Sequence, residues 1–288
     1  MFRKKLLPIF LAFLLSGCSN TFIYNQLDWL IPWYVGDFLD LNRAQKQSFK
    51  AQLLPLLDWH RQEELQTYLV ILDSIESDLD KPITAIVVGR WADELIASYD
   101  RLKQRGMPLA FNIGEQMSDL QLKYFMEEMY QKQEALELEY LPRSEADFRK
   151  QTYQNFEEGI SGFMGRLEQS QLDRLQQAAA DIVRFDEAWL DQRRAWLQRA
   201  EELLDREPGW QQAIRDLLNN REQFESPGYK AANRHNLQVI YSALADVIET
   251  RTEKQDKRVR QEIAGFRRDI NKLIAQGRND PGKDIPLF

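Results

Sequence analysis

Cys18 is the only cysteine in the 288-residue chain, and its thiol is the most reactive nucleophile that the sequence offers. In an oxidising compartment a single thiol invites wrong pairing, so covalent capping, here acylation, is the chemistry that suits it. Other reactive residue types lack partners at useful spacing. The two histidines, His60 and His235, belong neither to a Glu-x-x-His pair nor to a His-Glu-x-x-His helix, and no further thiol could join them, so no metal is expected. His60, beside Trp59, falls on an apolar helix face and reads as a core or boundary histidine; His235, between Arg234 and Asn236, starts or lines the last helix. The carboxylates Glu127, Glu128, Glu134, Glu137 and Glu139 read as a solvated helix face. Glycines 159, 162 and 165 lack the strand and lysine of a phosphate loop, and read as a helix end or a close helix crossing. No catalytic residue and no cofactor is assigned.

The elements around Cys18 say what positions it. Arg3, Lys4 and Lys5 precede the apolar run Leu6 to Leu15, and Ser16-Gly17 precede the cysteine. Basic, apolar, small-residue order is that of a signal peptide, and the apolar part is too short for a permanent span. Leu15-Ser16-Gly17-Cys18 resembles a bacterial lipobox. That resemblance implies cleavage between Gly17 and Cys18, with Cys18 becoming the lipidated first residue. Two or more acyl chains, at about 0.8 kcal/mol per buried CH₂, anchor a protein stably. Ser19 stands where an aspartate would mark inner-membrane retention. By the usual Gram-negative sorting pattern the expected address is the outer membrane, with the body facing the periplasm.

Without residues 1–17, which carry three basic groups and no acidic one, 35 basic residues face 45 acidic ones, a net charge near −10. Such a surface disfavours nucleic acid and anionic lipid heads, leaving the acyl group as the membrane link. With 43% hydrophobic and 11% aromatic residues, the chain can bury a real core. No second run of eighteen apolar residues predicts a transmembrane helix.

Periodicity predicts an all-α fold: long antiparallel helices with short loops, as a bundle or an elongated array. The expected division is a signal peptide at 1–17, an anchor and aromatic leader at 18–40, a helical domain at 41–276 and a disordered tail at 277–288. Pro82, Pro108, Pro142, Pro208 and Pro227 are read as helix starts, and Pro55 as a kink or break. One helix is expected over 83–105, ended by Gly106, and two more over 118–140 and 143–164. A seam of about nine turns runs from Leu172 to Leu204, and a last long helix from Leu237 to Leu273. The polar middle of the latter, Glu249 to Arg258, is expected to project beyond its neighbours.

Three segments share a form: Leu41-Asn42-Arg43-Ala44-Gln45, Met117-Ser118-Asp119-Leu120-Gln121 and Leu167-Glu168-Gln169-Ser170-Gln171. The first two fit a capping box, in which the Asn or Ser side chain takes the third amide and the glutamine reaches back; Glu168 makes the third copy weaker. These segments also resemble the LTxxQ motif of the Spy/CpxP-type periplasmic proteins, though none has the threonine; the likeness implies a helical periplasmic architecture. The opening Tyr24-Asn25-Gln26-Leu27-Asp28-Trp29-Leu30, with Trp33-Tyr34, Asp40-Leu41 and Gln45, resembles an uncharacterised family of proteobacterial lipoproteins of unknown function. That resemblance implies a helical fold and an envelope address, and supplies no catalytic residues.

The densest apolar cluster lies just after the anchor. It either folds back to close the end of the body or presents Trp29, Trp33, Tyr34 and Phe38 to a partner or to the membrane interface. The reading favoured is a lipid-anchored binding, scaffold or chaperone-like envelope protein without catalysis. Its oligomeric state is open. A carrier of an apolar, lipid-like ligand needs a large lined cavity. An enzyme on cell-wall or lipid substrates needs paired carboxylates near the leader.

Overall fold

The computed structural model describes the backbone of residues 17–278 and the side chains of residues 21–277. Most of the expected signal peptide and the last ten residues of the expected tail lie outside the described residues. Among the described residues every regular element is helical. Helices α1 (Gly17–Tyr24) and α2 (Leu27–Phe38) precede α3 (Arg43–Trp59), a π-helical turn (His60–Glu64) and α4 (Leu65–Asp78). The long α5 (Ala85–Gln116), α6 (Asp119–Tyr140), α7 (Glu145–Met164) and α8 (Gln169–Asp181) follow. After them come α9 (Asp186–Leu203), α10 (Trp210–Asn219), a 3₁₀ turn (Arg221–Phe224), α11 (Pro227–Glu249) and α12 (Glu253–Arg278).

Helix starts follow local chemistry. Thr84, Ser144 and Ser226 each accept the amide three residues on, and Pro227 occupies the first turn of α11. Asn42–Gln45 and Ser118–Gln121 form complete capping boxes. Pro82, Pro142 and Pro208 lie in turns just ahead of helices, but Pro108 does not start one. Helix α5 runs through both Gly106 and Pro108 for 32 residues. Met107 and Ile113 are buried on its inner face, and α3 and α11 pack along it, which offsets the hydrogen bond that Pro108 cannot make.

Two further expectations are corrected by long-range partners. The seam from Leu172 to Leu204 is two helices, broken at Ile182–Phe185. Asn236, buried in α11, accepts the Val183 N–H and donates to the Val183 carbonyl, both at 2.8 Å, and so captures backbone groups a helix would use. Arg149 donates to the carbonyls of Ala179 and Ile182 and closes the end of α8. The helix from Leu237 breaks at Thr250, and its polar middle does not project. Glu249 accepts the Ile83 N–H at 2.7 Å, Arg251 donates to the Leu79 carbonyl, and Gln255 is 3% exposed.

The polar middle hides a fourth capping box. Gln255 Oε1 accepts the Thr252 N–H at 2.9 Å, and Thr252 Oγ1 accepts the Gln255 N–H at 3.3 Å. The four box glutamines meet in two reciprocal pairs. Gln45 and Gln121 exchange side-chain amide bonds at 3.1 and 2.9 Å, and Gln171 and Gln255 do so at 3.1 and 2.9 Å. Each amide also donates to the carbonyl five residues before its partner: Gln45 to Gln116, Gln121 to Asp40, Gln171 to Thr250, Gln255 to Arg166. Each Oε1 takes the cap N–H of its own box, so the side-chain amide of every glutamine is fully used.

This equivalence makes the chain a structural repeat. Helices α2, α3, α5 and α6 of the first half correspond to α7, α8, α11 and α12 of the second. Leu41 and Phe49 correspond to Leu167 and Leu175, and Ile113 to Val247; all six are buried in the cluster around their own glutamine pair. The connection between paired helices differs: π turn and α4 in the first half, α9, α10 and a 3₁₀ turn in the second.

Candidate functional site

Helix α1 carries the chain from Cys18 to the body. Helix α1, whose second residue is Cys18, packs along α12 and its last residue is latched into the core. The Tyr24 hydroxyl meets His60 Nδ1 at 2.9 Å, and His60 Nε2 meets the Tyr68 hydroxyl at 3.3 Å. Arg61 stacks over the Tyr24 ring at 5.0 Å and donates to Asn25 Oδ1 at 2.9 Å and to the Leu273 carbonyl at 3.3 Å. Asn25 in turn donates to Gln276 at 3.0 Å.

His60 and Glu64, the first and last residues of the π turn and four apart, both face the interior. Glu64, 2% exposed, accepts a bidentate pair from Arg101 at 2.9 and 2.7 Å. Burial is the main cause that holds the His60 imidazole below its ordinary pKa, Arg61 adding to it and Glu64 opposing it. Burial likewise pushes the Tyr68 phenol up to about 12 and the Tyr24 phenol above its ordinary range. A neutral imidazole between two protonated phenols is a satisfied hydrogen-bond chain that fixes where α1 ends.

Helix α2 turns Ile31 and Val35 inward, followed by Leu39, and leaves its other side bare. Trp29 and Trp33, one turn apart, stack with ring centroids 6.2 Å apart and are 57% and 61% exposed. Phe22 on α1 is 65% exposed, and Tyr34 also faces solvent. Phe38 is placed differently: its ring packs edge-on to Phe125, with Lys132 Nζ 3.5 Å above it. Trp29 and Trp33 thus share an open stripe, while Tyr34 stacks on Phe38 with ring centroids 6.1 Å apart, and Phe38 joins leader to body.

The carboxylates near this face are not paired for catalysis. Asp28 faces Lys50 at 3.8 Å, and Asp37 and Asp40 are exposed. Asp40 adopts a left-handed φ of 48°, which presents its carbonyl to Gln121. Of the carboxylates on α6, Glu137 accepts from Gln133 and Arg194. His235 Nε2 meets the Asp181 carbonyl at 2.9 Å. Among the described residues no group of three His, Cys, Asp or Glu side chains is placed to hold a metal, and no helix is long and apolar enough to cross a membrane.

Two recesses of about 530 and 570 Å³ open to solvent. One lies between Asp80–Pro82 and Glu249–Asp256, the other where Arg184–Ala188 meet Ser226–Tyr229, and charged side chains line both. Neither is the enclosed apolar chamber that a lipid-like ligand needs.

The fold and its paired caps define a class: an all-α array built from a twice-used set of helices, each half closed by a reciprocal glutamine pair. The chain belongs to the Family of unknown function (DUF6279), which it matches over residues 37–230, about two thirds of its length. The match begins at the end of α2, so Cys18, Trp29 and Trp33 lie ahead of it. No curated protein and no solved structure matches the chain.

Sequence reasoning missed the fourth box and the pairing of the glutamines. The signal for the box was present as Thr252-x-x-Gln255; a polar setting disguised it. Nothing in the sequence pairs Gln45 with Gln121, because that contact spans 76 residues.

Proposed function

We propose that the protein is a lipid-anchored helical lipoprotein of the bacterial outer membrane, facing the periplasm, whose body binds or scaffolds an envelope protein and carries out no catalysis. The observation that carries this is the place of Cys18: the sole thiol, at the end of a basic, apolar, small-residue leader, on a helix latched to the body within two turns. A tether so short holds the body against the bilayer. The acidic, mixed-sign surface fits attachment through acyl chains rather than through anionic heads. The Thr252-x-x-Gln255 box has the threonine that the other three segments lack, but Arg251 stands where the LTxxQ motif has leucine, so the likeness to helical periplasmic LTxxQ proteins stays partial in all four segments. Leu95, Ile96 and Tyr99 form an exposed apolar patch on α5 and are where a protein partner is best sought.

Metabolic labelling with a fatty-acid analogue tests the anchor. Label should enter the wild-type chain and be absent from Cys18→Ser, which should leave the membrane fraction; label in neither, with both chains soluble, rejects the anchor. A photo-crosslinker at Tyr99 in intact cells should capture a defined envelope protein, and a crosslinker that captures nothing rejects the binding role at that surface.

A further inference from the structure

We infer that the exposed aromatics of the leader, the Trp29–Trp33 stripe of α2 together with Phe22 of α1, are a membrane seat: they lie in the head-group interface of the bilayer that holds the Cys18 acyl chains and fix the orientation of the body. This rests on the acyl anchor proposed above. The repeat supplies the main argument. Counting from Leu41-x-x-x-Gln45 and Leu167-x-x-x-Gln171, the positions of Trp29 and Trp33 on α2 correspond to Asn155 and Gly159 on α7. All four positions are exposed. At these two exposed positions one half carries an amide and a glycine and the other two indoles, although the two helices bury different stripes. Packing does not demand the indoles, and the half that carries them is the half next to Cys18.

Geometry and charge agree. At about 1.5 Å rise per residue, Phe22 lies about 6 Å along α1 from Cys18. The Trp29 amide continues the chain of backbone bonds through Gln26, so the tryptophans follow with no flexible linker. From Ser19 to Gly36 the only charged side chain is Asp28, which is turned toward Lys50. A neutral surface of Trp and Phe suits the interface, where an apolar ring and a polar N–H are both accommodated. Because the body is acidic, the seat should work on zwitterionic lipid without anionic heads.

The test uses the full-length chain purified from the membrane and reconstituted in phosphatidylcholine vesicles, some with brominated acyl chains, with acylation read by intact mass. The signal is the emission lost on changing both residues in Trp29→Phe/Trp33→Phe, which keeps apolar volume should polar replacements unfold the leader. In the acylated protein this component should be blue-shifted, quenched by shallow bromine labels and shielded from aqueous iodide. An acylated protein whose component stays open to iodide overturns the seat and leaves the anchor standing. Loss of iodide access in lipid-free protein that sediments as a dimer overturns it in favour of a second copy. If the mass shows no acyl group, the anchor reading fails, and the seat is decided by Cys18→Ser protein. Binding of that protein to phosphatidylcholine vesicles, weakened at least fivefold by Trp29→Asn/Trp33→Ser, upholds the seat, and equal or absent binding overturns it.

Discussion

The two halves share a skeleton and differ in what they expose and what they bury. In the second half the glutamine pair is sealed, with Gln171 at 1% and Gln255 at 3% exposure, whereas in the first Gln121 is only partly covered. The outward side of the opening helix is polar in the second half and aromatic in the first. The second half is thus the better-sealed structural core, and the first carries the leader, the buried histidine and the open face. The contrast shows that a repeat separates what the fold requires, present twice, from what a single copy has been given to do.

The largest expected effect lies in the buried pair. Gln171→Glu keeps shape and acceptor but removes the donors to Gln255 and Thr250 and strands a charge among carbonyls. It should cost about 4 kcal/mol in denaturant unfolding, against about 1–2 kcal/mol for Gln121→Glu in the more open pair. Equal losses would erase the distinction between the halves. Next, Arg101→Met leaves buried Glu64 without its partner and should cost about 3 kcal/mol, with much of the loss recovered by adding Glu64→Leu. Asn236→Ala frees both Val183 backbone groups and should cost about 2 kcal/mol, while leaving the latch of α1 intact as judged by hydrogen exchange.

His60 sharpens the comparison through pH. Its folded pKa lies below the unfolded value of about 6.5, so on acidification the unfolded chain binds the proton first. Stability is therefore full above about pH 6.5 and falls as pH drops below it toward the folded value. His60→Gln should flatten that fall in thermal melts; an unchanged slope would show that other groups cause it. The smallest effect belongs to the open face: Trp29→Asn/Trp33→Ser should change stability of the lipid-free protein by less than about 0.5 kcal/mol, since the second half tolerates polar and small residues there. A larger loss would mean that the indoles are structural.

What was legible in the sequence was local. The all-α class, the starts at Asn42 and Ser118 and the helices expected over 118–140 and 143–164 follow from side chains that act within four residues of themselves. The rest depends on contacts that sequence spacing does not encode. Asn236 breaks a helix 53 residues away, and Gln171 caps a carbonyl 79 residues on, in a region whose charge made it read as exposed. Helix α5 survives Pro108 because neighbours on two sides hold it. At the candidate site the sequence marked Cys18 and the aromatics, but only the second copy of the helix shows that Trp29 and Trp33 are additions to the fold.

Mass spectrometry of the N-terminal peptide from the membrane fraction tests the central claim most directly. The account predicts a peptide that begins at Cys18 and carries the mass of two or more acyl chains. A free Cys18, or a mature N-terminus at another residue, would contradict it.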